Sequence, residues 1–339
     1  MSALHGAELA VEQINNSGGV NGSKIELVVY DDQASPKEAA PLSVKMITQD
    51  NVVAGVSGSY SGSTRAAATI FAESKVPYIS AYAIHPDITR AGDYVFRTSF
   101  MGEVQGRAGA KLIGDTLGKK RVAMVTINND FGKSLAAGFR EQAGNFGIEI
   151  IAEYEYSIKD REFGPIISKL KADNPDAIYA SGYFFTAGPM VSQMRAAGLS
   201  QPVIGQEGYD SQKFIEIAGA ASEGVMITTS LDRDSTEAET KDFISGFAAK
   251  AGYPADMVAA SGHTAILVLA DALKRSGGKG GAALRDAIAD TNLKASTGQI
   301  SFNALGEVKK DVQVQIVKDG NWHHHSVISD AVLLAPPSK

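Results

Sequence analysis

The 339-residue sequence has no cysteine and a single tryptophan. Without cysteine there is no disulfide framework, no thiolate zinc site and no thiol nucleophile. The compartment stays open, because disulfide-free chains occur on both sides of a membrane. A basic surface is also missing. Lys and Arg total 32 against 38 Asp and Glu, a net charge of −6 without any basic block, which argues against a nucleic-acid partner. No uninterrupted apolar run reaches the eighteen or so residues needed to cross a bilayer, and no signal peptide is present in the recorded stretch. What remains is ordinary globular composition, 44% hydrophobic and 21% charged. The length exceeds one core, so two lobes are expected.

Strand and helix signals alternate along most of the chain. Apolar strands are predicted at 25–30, 52–56, 76–83, 94–98, 121–127, 148–156, 177–181, 203–206 and 225–229. Helical spacing fills the intervals at 37–48, 65–73, 102–117, 134–146, 163–172 and 187–196. This cadence predicts an α/β protein of two doubly wound parallel-sheet lobes. From about Asp232 the pattern changes to three consecutive helices, 237–251, 257–276 and 281–291, closed by strands at 299–302 and 312–318. Three helices in a row complete no sheet, so they are expected to return to the first lobe. That predicts one lobe of residues 1–99 and 231–309 and another of 100–230 and 310–339, joined by a three-segment hinge at 97–101, 230–233 and 308–311. The chain opens on a helix from Ser2, whereas an α/β lobe normally opens on a strand. The opening strand of the first lobe is therefore expected upstream of Met1.

The most informative run is VVAGVSGSYSGSTRAAA, residues 52–68: a short strand, a Gly/Ser loop, then an Ala-rich helix. Such a helix start gathers unpaired N–H groups and the hydroxyls of Ser61, Ser63 and Thr64 where the macrodipole favours an anion. A small carboxylate fits this seat. A triphosphate fits poorly, since Gly62 is followed by Ser63, Thr64 and Arg65 and not by the Lys-Ser/Thr of a P-loop. Simple helix capping by the serines is the plain alternative.

Ligands of doubly wound lobes lie outside the carboxyl ends of the strands. Those ends carry Ser61, the SAYAIHP run from Ser80, Asn128 to Phe131, Gly182 to Phe185, and Glu207 to Tyr209. Glu207 follows the apolar PVIGQ and precedes Gly208, so its carboxylate is placed to neutralise an ammonium; a solvated loop glutamate is the alternative. Aromatic residues cluster at the same ends, including Tyr82, Phe131 and Tyr183, as pocket walls or as core. An anion seat together with an acid describes a zwitterion.

Catalytic patterns are absent. GSYSG at Gly58 misses the nucleophile elbow because its centre is Tyr60, and there is no HExxH. Asp31 and Asp32 adjoin on one strand and so face opposite sides. Alternation leaves at most two of His323, His324 and His325 on one face, so no metal centre and no cofactor are expected.

Several runs together, AELAVEQINNSGGVNG, VVAGVSGSYSGSTRAAATIFAESKVPYIS, FRTSF, NNDFGKS, LKADNPDAIYASGYF and GQEGYD, resemble the type I periplasmic solute-binding proteins of branched-chain amino acid ABC transporters. The similarity runs in order from Ala3 to about Trp322. It implies a non-enzymatic, periplasmic or otherwise extracytoplasmic protein, expected as a monomer, that closes on a small molecule such as an amino acid and presents it to ABC permease subunits. By the same resemblance Ser61 holds the ligand carboxylate, Tyr82 offers a backbone carbonyl to the ammonium, and Ile84 stands where the family has a threonine. Phe131 and Tyr183 supply aromatic contacts, and Glu207 is the ammonium partner. Ile84 lacks the threonine hydroxyl, an anchor worth about 1–2 kcal/mol. His263 stands where a tyrosine is common, and the family's opening strand does not appear before Met1, which would leave two exposed strand edges. A ligand without the zwitterion, such as an aromatic acid or amide, and a sensory role for the same fold are the competing readings.

Overall fold

The computed structural model describes residues 1–337, which divide into two compact units of discontinuous chain. Unit 1 comprises Met1–Met101, Thr236–Lys310 and residues 336–337; unit 2 comprises Gly102–Ser235 and Asp311–Ala335. The passage after Ala335 is one more crossing than the sequence reading expects.

The first part of unit 1 contains α1 (Ser2–Asn16), α2 (Pro36–Thr48), β1 (Gly55–Ser57), α3 (Ser61–Glu73), β2 (Tyr78–Ser80) and β3 (Val95–Arg97). The strands form a parallel sheet in the order β1-β2-β3, with Ser57, Ser80 and Arg97 in register at their carboxyl ends. Residues 25–30 correct the expectation of a strand: they join no ladder. Ile25 and Leu27 do pack against Ala10, Ile14 and Ile266, but Val28 and Val29 are both exposed, so the run is only half buried. Among the described residues no strand lies in hydrogen-bonding register with them, and a strand is defined by its partner.

Unit 2 follows with α4 (Gly102–Lys111), whose continuation Leu112–Thr116 widens into a π turn, then β4 (Arg121–Ile127), α5 (Asp130–Ala143), β5 (Glu149–Tyr156), α6 (Gly164–Asp173), β6 (Ala177–Ala180), α7 (Phe184–Ala196), β7 (Val203–Gly205), α8 (Gln212–Ala218) and β8 (Met226–Thr229). The chain re-enters unit 1 with α9 (Ala238–Ala251), α10 (Met257–Arg275), α11 (Gly281–Ala289) and the hairpin of β9 (Asn292–Ala295) and β10 (Gly298–Ser301). It ends in unit 2 with β11 (Val312–Lys318) and β12 (Asn321–Ile328). The unit 2 sheet has the order β12-β11-β8-β7-β6-β4-β5 and is parallel apart from the antiparallel β11 and β12. Its central strands are buried on both faces, as parallel strands covered by helices must be.

Helix α10 is the spine of unit 1. It is long and apolar enough by length and composition to cross a membrane, but most of it is buried within the unit. It crosses α1 at van der Waals contact of the backbones: a Cβ on Gly6 would stand 2.0 Å from the Ala259 carbonyl oxygen, and one on Gly262 would stand 2.4 Å from that of Ala3.

The same crossing buries His263, which meets Gln13 Oε1 through Nε2 (2.8 Å) and Ser296 Oγ through Nδ1 (3.1 Å). Burial lowers its pKa to about 4. Above the ordinary value near 6.5 the imidazole is neutral in folded and unfolded chains alike, and stability is full. As pH falls from 6.5 towards 4 the unfolded chain takes up a proton that the folded one refuses, so stability drops by up to about 3 kcal/mol. Urea unfolding of wild type and His263→Gln at pH 7 and pH 4.5 checks this: the variant should lose distinctly less stability on acidification, and equal losses would place the pH dependence elsewhere.

Candidate functional site

In unit 1 the carboxyl ends of β1 and β2 bring together Ser61, Tyr82 and Ile84. The loop after β1 is shaped by Asp32, whose Oδ1 accepts the Ser59 hydroxyl at 2.9 Å, and by Ser57, whose hydroxyl meets that of Thr64 at 2.5 Å. Helix α3 then starts at Ser61, four residues before its predicted start. Tyr60 at its N-cap makes no side-chain capping bond and no acidic residue stands in the first turn, so the serines do not cap this helix in the manner of the plain alternative. Ser61 is buried, and its Oγ accepts the Ile84 N–H at 3.3 Å. Ser63 Oγ is buried with no hydrogen-bond partner among the described residues. These groups lie at the positive end of α3, where the helix dipole favours negative charge.

Tyr82 lies over the same loop, its hydroxyl donating to Gly58 O at 2.9 Å. Ile84 is fully buried, so what it offers is backbone and not side chain. The turn carrying both is closed by Ser80 Oγ, which donates to Ala83 O at 3.0 Å. A surface pocket of about 470 Å3 opens elsewhere on this unit, where Arg65 and Arg90 share Asp87. Its lining includes Gly62 and Arg65 but not Ser61, Tyr82 or Ile84.

In unit 2 Phe131 and Tyr183 stack at 5.0 Å between centroids, and Tyr183 stacks on Phe185 at 5.6 Å. Asn129 organises this wall: its Oδ1 caps α5 by accepting Gly132 N–H at 2.9 Å, while its Nδ2 donates to Tyr183 Oη at 3.3 Å. Tyr183 precedes α7 and its own N–H donates to Thr186 Oγ1 at 3.1 Å. Glu207 opens a 3-10 turn after β7 and is 2% exposed. Gly208 is required beside it, because a Cβ there would stand 2.1 Å from Gly182 O and 3.1 Å from Phe131 Cζ. The strand-end loops of β6 and β7 thus touch through two glycines, which sets Glu207 next to the aromatic wall. Burial raises the phenol pKa values of Tyr156, Tyr179 and Tyr209 behind it, leaving these groups neutral.

Two ion pairs stand beside these groups and were not singled out from sequence. Asp210, just after the Glu207 turn, pairs with Arg233 and accepts the Thr229 hydroxyl at 2.6 Å. Arg97, at the end of β3, pairs with Glu307 at 2.7 Å, both fully or almost fully buried. An arginine closing an otherwise apolar strand was the available signal for the second, because a buried charge needs a partner. In β12 His323 and His324 face Asp234 and Asp232, at 3.3 and 3.1 Å, and His325 Nδ1 meets Ser326 Oγ at 3.0 Å. No group of three or more metal-ligating side chains occurs among the described residues.

Comparison with known proteins gives the family and the fold. The model of a family described as periplasmic binding proteins matches residues 1–321. A curated relative from Pseudomonas aeruginosa, named leucine-, isoleucine-, valine-, threonine- and alanine-binding protein, is 30% identical over 307 residues, covering 90% of this chain and 81% of its own. The isoleucine complex of a branched-chain amino acid transporter substrate-binding protein from Streptococcus pneumoniae superposes with a TM-score of 0.89 at 29% identity, covering 96% of this chain and 93% of that one. A solute-binding protein of an ABC transporter from R. palustris in complex with benzoate gives 0.87 at 25% identity, covering 97% and 93%.

Proposed function

This chain belongs to the periplasmic binding protein family, and from that premise we propose that it captures an amino acid with a small apolar side chain outside the cytoplasm and hands it to an ABC permease. A binding protein of this family is a solute carrier and not an enzyme. The observation that carries the ligand class is the uncapped start of α3, with Ser61 Oγ tied to the Ile84 N–H. The ligand carboxylate is assigned to Ser61 and the Ile84 amide, and the ammonium to Glu207 and the Tyr82 carbonyl. Its side chain is assigned to Phe131 and Tyr183. Ile84 offers no hydroxyl, so Ser61, the Ile84 amide and the helix dipole carry the carboxylate without it.

The stacked Phe131, Tyr183 and Phe185 favour a second reading, an aromatic acid, for which the benzoate-bound neighbour is a precedent. Calorimetry of the purified chain with leucine, alanine and 4-hydroxybenzoate separates the two. Saturable heat with leucine and none with 4-hydroxybenzoate is expected. The reverse pattern would replace the amino acid by the aromatic acid.

A further inference from the structure

We propose that Arg97 is a positioning residue for ligand capture: it holds the turn after β2 so that the Ile84 N–H points at the carboxylate seat. The inference rests on the proposed function for what occupies the seat, but the geometry belongs to unit 1 alone. A guanidinium has five N–H donors, and here every one is used. Nε donates to Glu307 Oε2 at 3.0 Å, Nη2 to Glu307 Oε1 at 2.7 Å and to Thr89 Oγ1 at 3.3 Å, and Nη1 to the carbonyl oxygens of Ala83 at 3.1 Å and His85 at 2.9 Å. Thr89 Oγ1 in turn donates to Glu307 Oε1.

The carbonyls fixed by Nη1 flank Ile84. In a trans peptide the C=O of one residue and the N–H of the next point in opposite directions. Tying Ala83 C=O to Arg97 therefore turns the Ile84 N–H to the other side, where Ser61 Oγ accepts it at 3.3 Å. The His85 carbonyl, held to the same nitrogen, stops the turn from rotating about Ile84. Arg97 is fixed from behind as well, since its own N–H donates to Gly306 O at 2.9 Å in a parallel bridge to Glu307. A lysine could neutralise Glu307 but could not reach two flanking carbonyls with a planar fork.

The test is Arg97→Lys, read in two ways. Amide hydrogen exchange in the ligand-free protein should accelerate at Ile84 by about tenfold or more while Ile178 in β6 keeps its wild-type rate, and leucine affinity by calorimetry should fall by roughly tenfold. Loss of fold alone would accelerate both amides together. Unchanged exchange at Ile84, or unchanged affinity with exchange accelerated, overturns the inference. If wild type binds no amino acid, the proposed function fails while the exchange arm still decides whether Arg97 orients this amide. Should Arg97→Lys not fold, Glu307→Gln, which keeps the side-chain shape and removes the opposing charge, carries the same two measurements with the same decisive outcomes.

Discussion

Glu207→Gln weakens leucine binding by about thirty- to a thousandfold and leaves the unfolding midpoint nearly unchanged. Glutamine keeps the shape, and the close approach of Gly208 to Gly182 and Phe131 is untouched. What is lost is the charge. A desolvated ammonium facing a neutral amide forgoes a charge-assisted hydrogen bond, and breaking such a buried pair costs about 2–4 kcal/mol. Glu207 is 2% exposed, so solvent does little to soften the loss. Calorimetry reads the affinity and a thermal melt reads the fold. An affinity within threefold of wild type would remove Glu207 from the site, and with it the zwitterion.

The largest effect on stability is expected at Asp210. Its carboxylate is fully buried between Arg233 and the Thr229 hydroxyl, and the Arg233 side chain is only 14% exposed. Asp210→Ala leaves a guanidinium largely desolvated without its counter-charge, a change that costs about 3–5 kcal/mol. Urea unfolding measures it directly. Replacing both partners by apolar residues, Asp210→Leu with Arg233→Met, should recover most of the loss, because the pair itself balances its own desolvation. A loss below about 1 kcal/mol for Asp210→Ala would mean that water reaches Arg233 in its place.

Elements with a strong local pattern were legible in the sequence. The runs at 121–127 and 312–318 coincide with β4 and β11, and the long helix at 257–276 with α10 to within one residue. The misses have physical causes. Residues 25–30 are apolar like a strand but join no ladder, and apolar composition reports burial, not pairing. β12 reads NWHHHSVI, whose histidines and asparagine give no β signal; it forms because β11 offers an edge. α8 is seven residues long, too short for helical spacing to register. α3 begins at Ser61 because a Gly/Ser stretch enters the helix there against its weak propensity.

The site divides in the same way. The positions of Ser61, Phe131, Tyr183 and Glu207 were legible because the α/β cadence places each just after a strand, where the structure also has them. That the Ile84 N–H is available could be read from the sequence; its full burial and its contact with Ser61 Oγ could not. Arg97 and Glu307 were invisible as a pair because 210 residues separate them.

Helix α1 has no core of its own; it waits for α10, and Gln13 meets His263 across 250 residues of chain. Ribosomes add roughly 5–20 residues per second, so the first helix spends on the order of ten to fifty seconds without its mate. During that interval the nascent polypeptide presents a greasy stripe that a chaperone has time to cover, and completion of the first half depends on translation having nearly finished.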